Sequence, residues 1–200
     1  MSKNKRFQLT ATLLLTLVLA ACYSLSQKDD YPPVTFTVKG RSAEMRGVID
    51  NTILERLKRL MKEHPQVNRI VMVDVEGSVD DAANLEAARY VRYNKFNTLV
   101  PSDGVIASGG TDFFLAGVER TVSPGGRVGV HSWGTGEDEE YRTAKDFPQN
   151  HPEHDKYLDY YRKMGIPADF YWYTLDAAPF DGIHWMDRTE LKKYKLITTG

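Results

Sequence analysis

Residues 104–131, GVIASGGTDFFLAGVERTVSPGGRVGVH, decide the fold that we expect for this chain. A β-type run leads into a glycine-rich turn at Ser108, a short apolar helix follows, and a second strand-forming run ends at His131. Glycines at a strand-to-helix junction permit a sharp turn that other residues resist. We therefore predict that Ser108 directly follows one strand and that His131 ends the next.

Ser108 and His131 form a candidate catalytic pair. A serine hydroxyl is a poor nucleophile at neutral pH, so it requires a base within hydrogen-bond reach and donors directed at the developing oxyanion. A strand-to-helix turn exposes the serine near a helix N-terminus, whose dipole favours negative charge. A structural interpretation stays open, because serine also suits a tight turn and a histidine at a strand end can simply bond to backbone.

The rest of the chain alternates between strand and helix patterns. Residues 34–38 alternate as a strand, residues 69–75 form a β-branched run typical of a buried parallel strand, and residues 50–63 have apolar side chains at helical spacing. The remaining patterns predict helices near residues 80–93, 111–118, 154–164 and 187–194, and strands at 100–107 and 127–131. The sequence thus predicts an α/β fold with a largely parallel sheet and flanking helices.

The N-terminal segment has the pattern of an export signal. Residues 1–21 contain three basic side chains, then an apolar run that is too short for a comfortable transmembrane span and ends in small residues. Residues 19–22, Leu-Ala-Ala-Cys, resemble the bacterial lipoprotein box, which implies cleavage before Cys22 and lipidation of that residue. Cys22 is the only cysteine, so no intramolecular disulfide can form. A simple cleaved signal with a leftover cysteine is the alternative.

Composition limits the partners of the mature chain. Removal of residues 1–21 leaves 23 basic and 27 acidic side chains, a net charge of −4, with both signs interspersed. Nucleic acid is therefore excluded as an expected partner, because such binders concentrate basic residues on one face. Residues 22–33 are polar and contain two prolines, which indicates a tether, and residues 34–200 have the length of one domain.

Several motifs in register resemble the ClpP/crotonase superfamily, in particular the Clp protease proteolytic subunit and divergent periplasmic ClpP-like lipoproteins. The resemblance covers roughly residues 34–198. It rests on the segments GVID at 47–50, VEGSV at 75–79, ASG at 107–109, AGVER at 116–120, GRVGVH at 126–131, and 186–198, where Lys195 stands at a usual glycine. It implies a ClpP/crotonase-like fold built from ββα-type repeats.

The resemblance also implies roles for individual residues. Ser108 corresponds to the nucleophile and His131 to the general base, while Gly77 and Gly109 correspond to the backbone N–H donors of the oxyanion hole. Two departures stand out. Glu76 replaces the first glycine of the oxyanion turn, and Ile183 occupies the position of the family's triad aspartate. Two further acids, Asp181 and the more distant Asp176, are nearby; we assign the third triad position to Asp181.

No cofactor is expected, and the sequence offers one weak metal candidate. His151, Glu153, His154 and Asp155 are chemically suitable zinc ligands, but they lie around a proline in a predicted turn and lack the helical HExxH spacing. We therefore predict no metal site there.

The leading functional hypothesis is a membrane-tethered serine hydrolase, a ClpP-like peptidase acting through an acyl-enzyme on Ser108. Its expected partners are a peptide or protein substrate, the membrane through a lipid on Cys22, and a second copy of the chain, because the family's corresponding long helix mediates subunit contacts. The expected location is the bacterial cell envelope, facing the periplasm or the exterior. The alternatives are a catalytically inactive binding or scaffold lipoprotein and, more remotely, an acyl-CoA enzyme of the crotonase type.

Overall fold

A computed structural model describes residues 31–135 and 142–199 of the 200-residue chain. The predicted signal peptide (1–21), Cys22 and most of the predicted tether (22–33) lie outside the described residues. Residues Pro33–Gly200 make up one compact unit, to which the description below refers.

A mostly parallel sheet forms the centre of this unit. Within the described residues it has eight strands. Their bounds are β1 Thr35–Lys39, β2 Ser42–Arg46, β3 Arg69–Val75, β4 Asn97–Val100, β5 Val105–Ala107, β6 Arg120–Val122, β7 Arg127–Val130 and β10 His184–Trp185. A separate two-stranded sheet pairs β8, Gly134–Thr135, with β9, Arg142–Thr143.

The sheet order is β1-β2-β3-β5-β7-β10, with β4 pairing with both β3 and β6. The pairings at its two ends, β1 with β2 and β7 with β10, are antiparallel, and the pairings between them are parallel. The predicted α/β class with a largely parallel sheet is therefore confirmed. Because parallel strands end at the same edge, the residues that follow β3, β5 and β7 meet there.

Helices flank the sheet. Their bounds are α1 Ile53–Glu63, α2 Asp81–Tyr93, α3 Gly109–Phe114, α4 Pro152–Met164, α5 Ala168–Ala177 and α6 Arg188–Lys193, with a short 3₁₀ turn at Ala144–Asp146. Helix α1 buries Ile53, Leu57 and Leu60 on one face, as its apolar spacing predicts. None of the helices in residues 31–135 and 142–199 is long and apolar enough to span a membrane.

The sequence prediction differs from the structure at residues 100–107, which do not form one strand. Strand β4 ends at Val100 and β5 begins at Val105, and the backbone N–H of Gly104 closes the turn between them on the carbonyl of Pro101 at 2.9 Å. Pro-Ser-Asp-Gly is a strong turn signal, and it overrides the strand propensity on either side. Consequently β3 pairs through its first half with β4 and through its second half with β5.

The final helix shows the predicted capping. The carboxylate of Asp187 accepts the N–H of Glu190, and the carboxylate of Glu190 accepts the N–H of Asp187, both at 2.8 Å. Just after the helix, Lys195 adopts a left-handed conformation with φ of 58°. Glycine adopts this conformation without strain, which accounts for the glycine that the resembled family has at this position.

Candidate active site

Ser108 lies on a strained turn, the serine turn, formed by residues 107–110 between β5 and α3. Its backbone has φ of 52° and ψ of −129°, a combination that residues other than glycine rarely adopt. Such a residue costs about 1–3 kcal/mol and persists only where its surroundings impose it. Here the N–H of Ser108 donates to the carbonyl of Gly129 at 3.2 Å, and the N–H of Thr111 donates to the carbonyl of Ser108 at 2.8 Å.

Two glycines let the serine turn pack against the residues that follow β3. A Cβ atom on Gly110 would lie 1.9 Å from the carbonyl oxygen of Val75, and one on Gly109 would lie 2.2 Å from Oγ of Ser78. A residue with a side chain could not pack this closely at either position. The glycines after Ser108 are therefore required by close packing between α3 and residues 75–78.

Gly77 and Gly109, the predicted oxyanion donors, both lie beside Ser108. A Cβ on Gly77 would be 3.9 Å from Cβ of Ser108, and Gly109 begins α3, so its N–H has no intrahelical acceptor. Within residues 31–135 and 142–199, the N–H of Gly77 donates no backbone hydrogen bond either. The neighbouring Glu76 is exposed to solvent, so its carboxylate is not buried against these donors.

His131 reaches the same region from the adjacent strand. Ala107 of β5 pairs with Gly129 of β7, so Ser108 and His131 both emerge at the carboxyl edge of the sheet. Both side chains line one cavity of about 50 Å³, the site cavity, whose other polar lining includes Asp81, Asp112, Tyr157 and Tyr171. Among the described residues no hydrogen bond joins Ser108 Oγ to the His131 ring; such bonds are often long before a substrate binds.

The imidazole of His131 is partly removed from water. Burial lowers its pKa, while hydrogen bonding with the backbone of Ser132 and of Phe180 and the negative charge of Asp81 act to raise it. Its Nδ1 atom is buried and, within the described residues, has no hydrogen-bond partner of regular geometry. A lowered pKa favours neutral imidazole near pH 7, which is the form that accepts a proton.

The structure does not bring the predicted acid, Asp181, to this cavity. Asp181 is exposed and is not among the residues that line the site cavity. Asp176 is also exposed and pairs with Lys145 at 3.0 Å. Ile183 lies over β7: a Cβ atom added to Gly129 of that strand would be 2.6 Å from the Cγ2 atom of Ile183.

Two other acids, which the sequence analysis missed, do line the site cavity. Asp81 begins α2, and its carboxylate accepts hydrogen bonds from the hydroxyls of Ser78 at 2.7 Å and Tyr157 at 2.5 Å. Asp112 lies in α3 and accepts from the hydroxyl of Tyr161 at 2.6 Å. Burial raises the pKa of Asp112 to about 7; the Tyr161 hydrogen bond opposes this effect and the charge of Asp81 adds to it.

The tyrosine hydroxyls of α4 connect that helix to the acids of the site. Tyr157 and Tyr161 are buried, and with Tyr160 and Met164 they form an apolar and aromatic stripe along α4. The structure shows that this stripe is core within a single chain. Helical spacing reveals such a stripe, but the acceptors of its hydroxyls lie 76 and 49 positions away along the chain, and no local pattern indicates them.

The histidines considered for zinc have structural roles. His151 caps α4, where its Nδ1 accepts the N–H of Glu153 at 3.2 Å. His154 is buried, and its Nδ1 lies 2.6 Å from the hydroxyl of Tyr171. No group of three or more histidine, cysteine or acidic side chains suited to a metal ion occurs in residues 31–135 and 142–199.

Solved structures share this architecture. A serine-to-alanine mutant of the 1510-N membrane-bound stomatin-specific protease matches with a TM-score of 0.55 and 17% identity, over 78% of this chain and 76% of that chain. A lysine-to-alanine mutant of the same protease in complex with a substrate peptide matches with a TM-score of 0.51 and 17% identity, over 76% of this chain and 71% of that chain.

An enoyl-CoA hydratase from Polaromonas sp. JS666 matches with a TM-score of 0.49 and 10% identity, over 83% of this chain and 69% of that chain. No protein-family model and no curated protein matches the sequence. The sheet order and the serine turn, together with the two protease structures, agree with the resemblance found in the sequence, and the chain therefore has a ClpP/crotonase-like fold.

Proposed function

We propose that this protein is a serine hydrolase of the peptidase type, with Ser108 as nucleophile and His131 as general base. The observation that carries the proposal is the strained conformation of Ser108 at a strand-to-helix turn, in one cavity with an imidazole of lowered pKa. Strain of this kind clusters at functional sites, because it costs stability without improving packing.

The proposed reaction proceeds through a covalent intermediate. Oγ of Ser108 attacks the substrate carbonyl carbon as His131 takes the hydroxyl proton, and the N–H groups of Gly77 and Gly109 bind the resulting oxyanion. The tetrahedral intermediate collapses, His131 passes the proton to the leaving amine, and an acyl-enzyme remains. Water, deprotonated by His131, then attacks the acyl carbon; collapse releases the acid and returns the proton to Ser108.

A peptide is the proposed substrate class. Two structures that share the fold are described as a protease, one of them in complex with a substrate peptide. At 17% identity these structures show the shared fold, and the peptide substrate is our proposal for the chemistry that Ser108 and His131 carry out on it.

The proposed location is the cell envelope, with the domain tethered to the membrane through a lipid on Cys22 and facing the periplasm or exterior. The support is the N-terminal pattern of three basic residues, an apolar run and Leu-Ala-Ala-Cys. Self-association of the domain is part of the same proposal and rests on the family resemblance alone.

A fluorophosphonate probe tests the chemistry directly, because it reacts covalently with activated serines. We expect labelling of the wild-type protein at pH 7.5, and its loss in Ser108→Ala and in His131→Gln. Ser102→Ala is the matched control, since Ser102 is exposed on the turn between β4 and β5. Circular dichroism verifies that each variant is folded.

The alternative is a catalytically inactive scaffold. What favours it is that, within the described residues, no hydrogen bond joins Ser108 to His131, although both line the site cavity. A folded wild-type protein that stays unlabelled between pH 6 and pH 9 would contradict the hydrolase proposal and favour the scaffold.

A further inference from the structure

A base in a serine hydrolase normally has an acid that orients its ring and stabilises the imidazolium formed during catalysis. In this structure the buried Nδ1 of His131 has no hydrogen-bond partner of regular geometry within the described residues, and Asp181 is exposed outside the site cavity. The candidates for this orienting acid are therefore the groups that face His131 across the cavity.

The titratable groups that face the site cavity come from four helices. They are Asp81 on α2, Asp112 on α3, Tyr157 and Tyr161 on α4, and Tyr171 on α5. Burial raises the pKa of each of these three tyrosines, so they are neutral throughout the pH range of interest. The choice is therefore between the two carboxyl groups.

Asp81 is held in a defined position. It is the first residue of α2, directly after the turn that contains Gly77, and two hydroxyls, from Ser78 and Tyr157, bind one carboxylate oxygen each. Tyr157 belongs to α4, so the carboxylate is fixed from two separate elements. Its charge acts on the ring of His131, and no Lys or Arg side chain of the described residues forms an ion pair with it.

Asp112 is less suitable. Its carboxyl is half protonated near neutral pH because burial raises its pKa to about 7, so it supplies only a fraction of a negative charge. It is also absent from the groups whose charge acts on His131. Its hydrogen bond to Tyr161 fits a structural contact between α3 and α4.

We infer that Asp81 is the carboxylate that orients His131 and stabilises its imidazolium across the site cavity, in the role that sequence reasoning assigned to Asp181. This inference rests on the proposed hydrolase function. Asp81 is a positioning residue, since it acts on the substrate only through His131. Asp81 comes from the start of α2, whereas Asp181 comes from the segment before β10.

Two measurements on the full folded domain test the inference. The first is NMR titration of the His131 imidazole, with its signal assigned by comparison with His131→Gln. The second is the rate of fluorophosphonate labelling between pH 5 and pH 9. Both are made on wild type, Asp81→Asn, Asp81→Ser, Asp81→Glu, Asp181→Asn, and Asp103→Asn as an exposed control in the turn after β4.

Removal of the Asp81 charge lowers the pKa of His131, because that charge favours the protonated ring. We expect the titration midpoint in Asp81→Asn and Asp81→Ser to move to lower pH by roughly half a pH unit or more, with the acid limb of the labelling profile moving equally. The labelling rate at its plateau should fall roughly 10- to 100-fold. Asp81→Glu keeps the charge and should restore the midpoint.

The outcomes separate this inference from the proposed function. A labelled wild type whose midpoint and profile are the same in both charge-removing variants would overturn the assignment of Asp81 alone. If the midpoint and the labelling profile change in Asp181→Asn and stay at their wild-type values in the Asp81 variants, the role belongs to Asp181. A wild type that is never labelled would refute the hydrolase proposal and the catalytic role of Asp81 with it, whatever the titration shows.

Discussion

Asp112 shows how the cavity alters the chemistry of a single residue. An aspartate has an ordinary pKa of 3.8, and burial raises that of Asp112 to about 7. Between pH 4 and pH 7 the folded protein therefore holds a proton on Asp112 that the unfolded chain has released. Since stability falls with pH wherever the native state binds more protons, Asp112 reduces stability as pH rises through this range.

We predict that Asp112→Asn stabilises the protein at neutral and alkaline pH. Asparagine keeps an oxygen acceptor for the Tyr161 hydroxyl and removes the cost of a buried charge, so unfolding at pH 8 should require up to about 4 kcal/mol more than in wild type. At pH 4 the two proteins should differ little. Urea denaturation at pH 4, 6 and 8 measures the difference, and a difference that is constant with pH would contradict the raised pKa.

At the scale of elements, the serine turn depends on how closely α3 approaches the residues after β3. The carbonyl of Val75 occupies the space in which a side chain at residue 110 would lie. Overpacking against backbone cannot be relieved by a rotamer change, so α3 would have to move and carry Ser108 with it. The same close packing of α3 places Gly77 next to Ser108, so the proposed oxyanion donors lie beside the nucleophile.

We predict that Gly110→Ala lowers the free energy of unfolding by about 3 kcal/mol and abolishes probe labelling in the protein that still folds. Gly182→Ala is the matched control, because a Cβ there meets its nearest atom at 3.4 Å and the backbone needs no positive φ. Denaturation curves and labelling of both variants give the comparison. Wild-type stability in Gly110→Ala would mean that the turn is less tightly packed than the structure shows.

For the whole molecule, the compact unit from Pro33 to Gly200 contains both candidate catalytic residues and their surroundings. The predicted lipid anchor on Cys22 precedes this unit in the sequence, so we expect anchoring and chemistry to be separable. Within the unit, α4 covers the site cavity with buried tyrosines and does not leave them for contact with another chain.

We predict that Cys22 carries the lipid. A fatty-acid analogue fed to expressing cells should label the wild type and not Cys22→Ala, while the fluorophosphonate probe should label both, since the domain begins after the tether. Gel fluorescence with the two probes makes the measurement on one sample. Lipid label that persists in Cys22→Ala would contradict the lipoprotein proposal.

Local signals were sufficient for most of the longer elements of this fold. Glycine and proline turns, apolar spacing and the capping box at Asp187 and Glu190 are properties of neighbouring residues, and the structure reproduces them to within a few positions. The sequence does not predict helix α5, the break between β4 and β5, or the short strands β6, β8, β9 and β10. An aromatic-rich helix has little periodic contrast, a turn can interrupt an apolar run, and a strand of two or three residues is too short to show alternation.

The sequence by itself determined the α/β class, the serine turn and the candidate pair Ser108 and His131, because each depends on short-range spacing or on motifs that keep their order along the chain. Only the tertiary structure decided which acids face the pair. Asp81 and Asp112 reach the site cavity through hydrogen bonds to tyrosines of α4, and Asp181 remains at the surface. Such contacts join residues far apart in the chain, and the packing of helices on the sheet creates them.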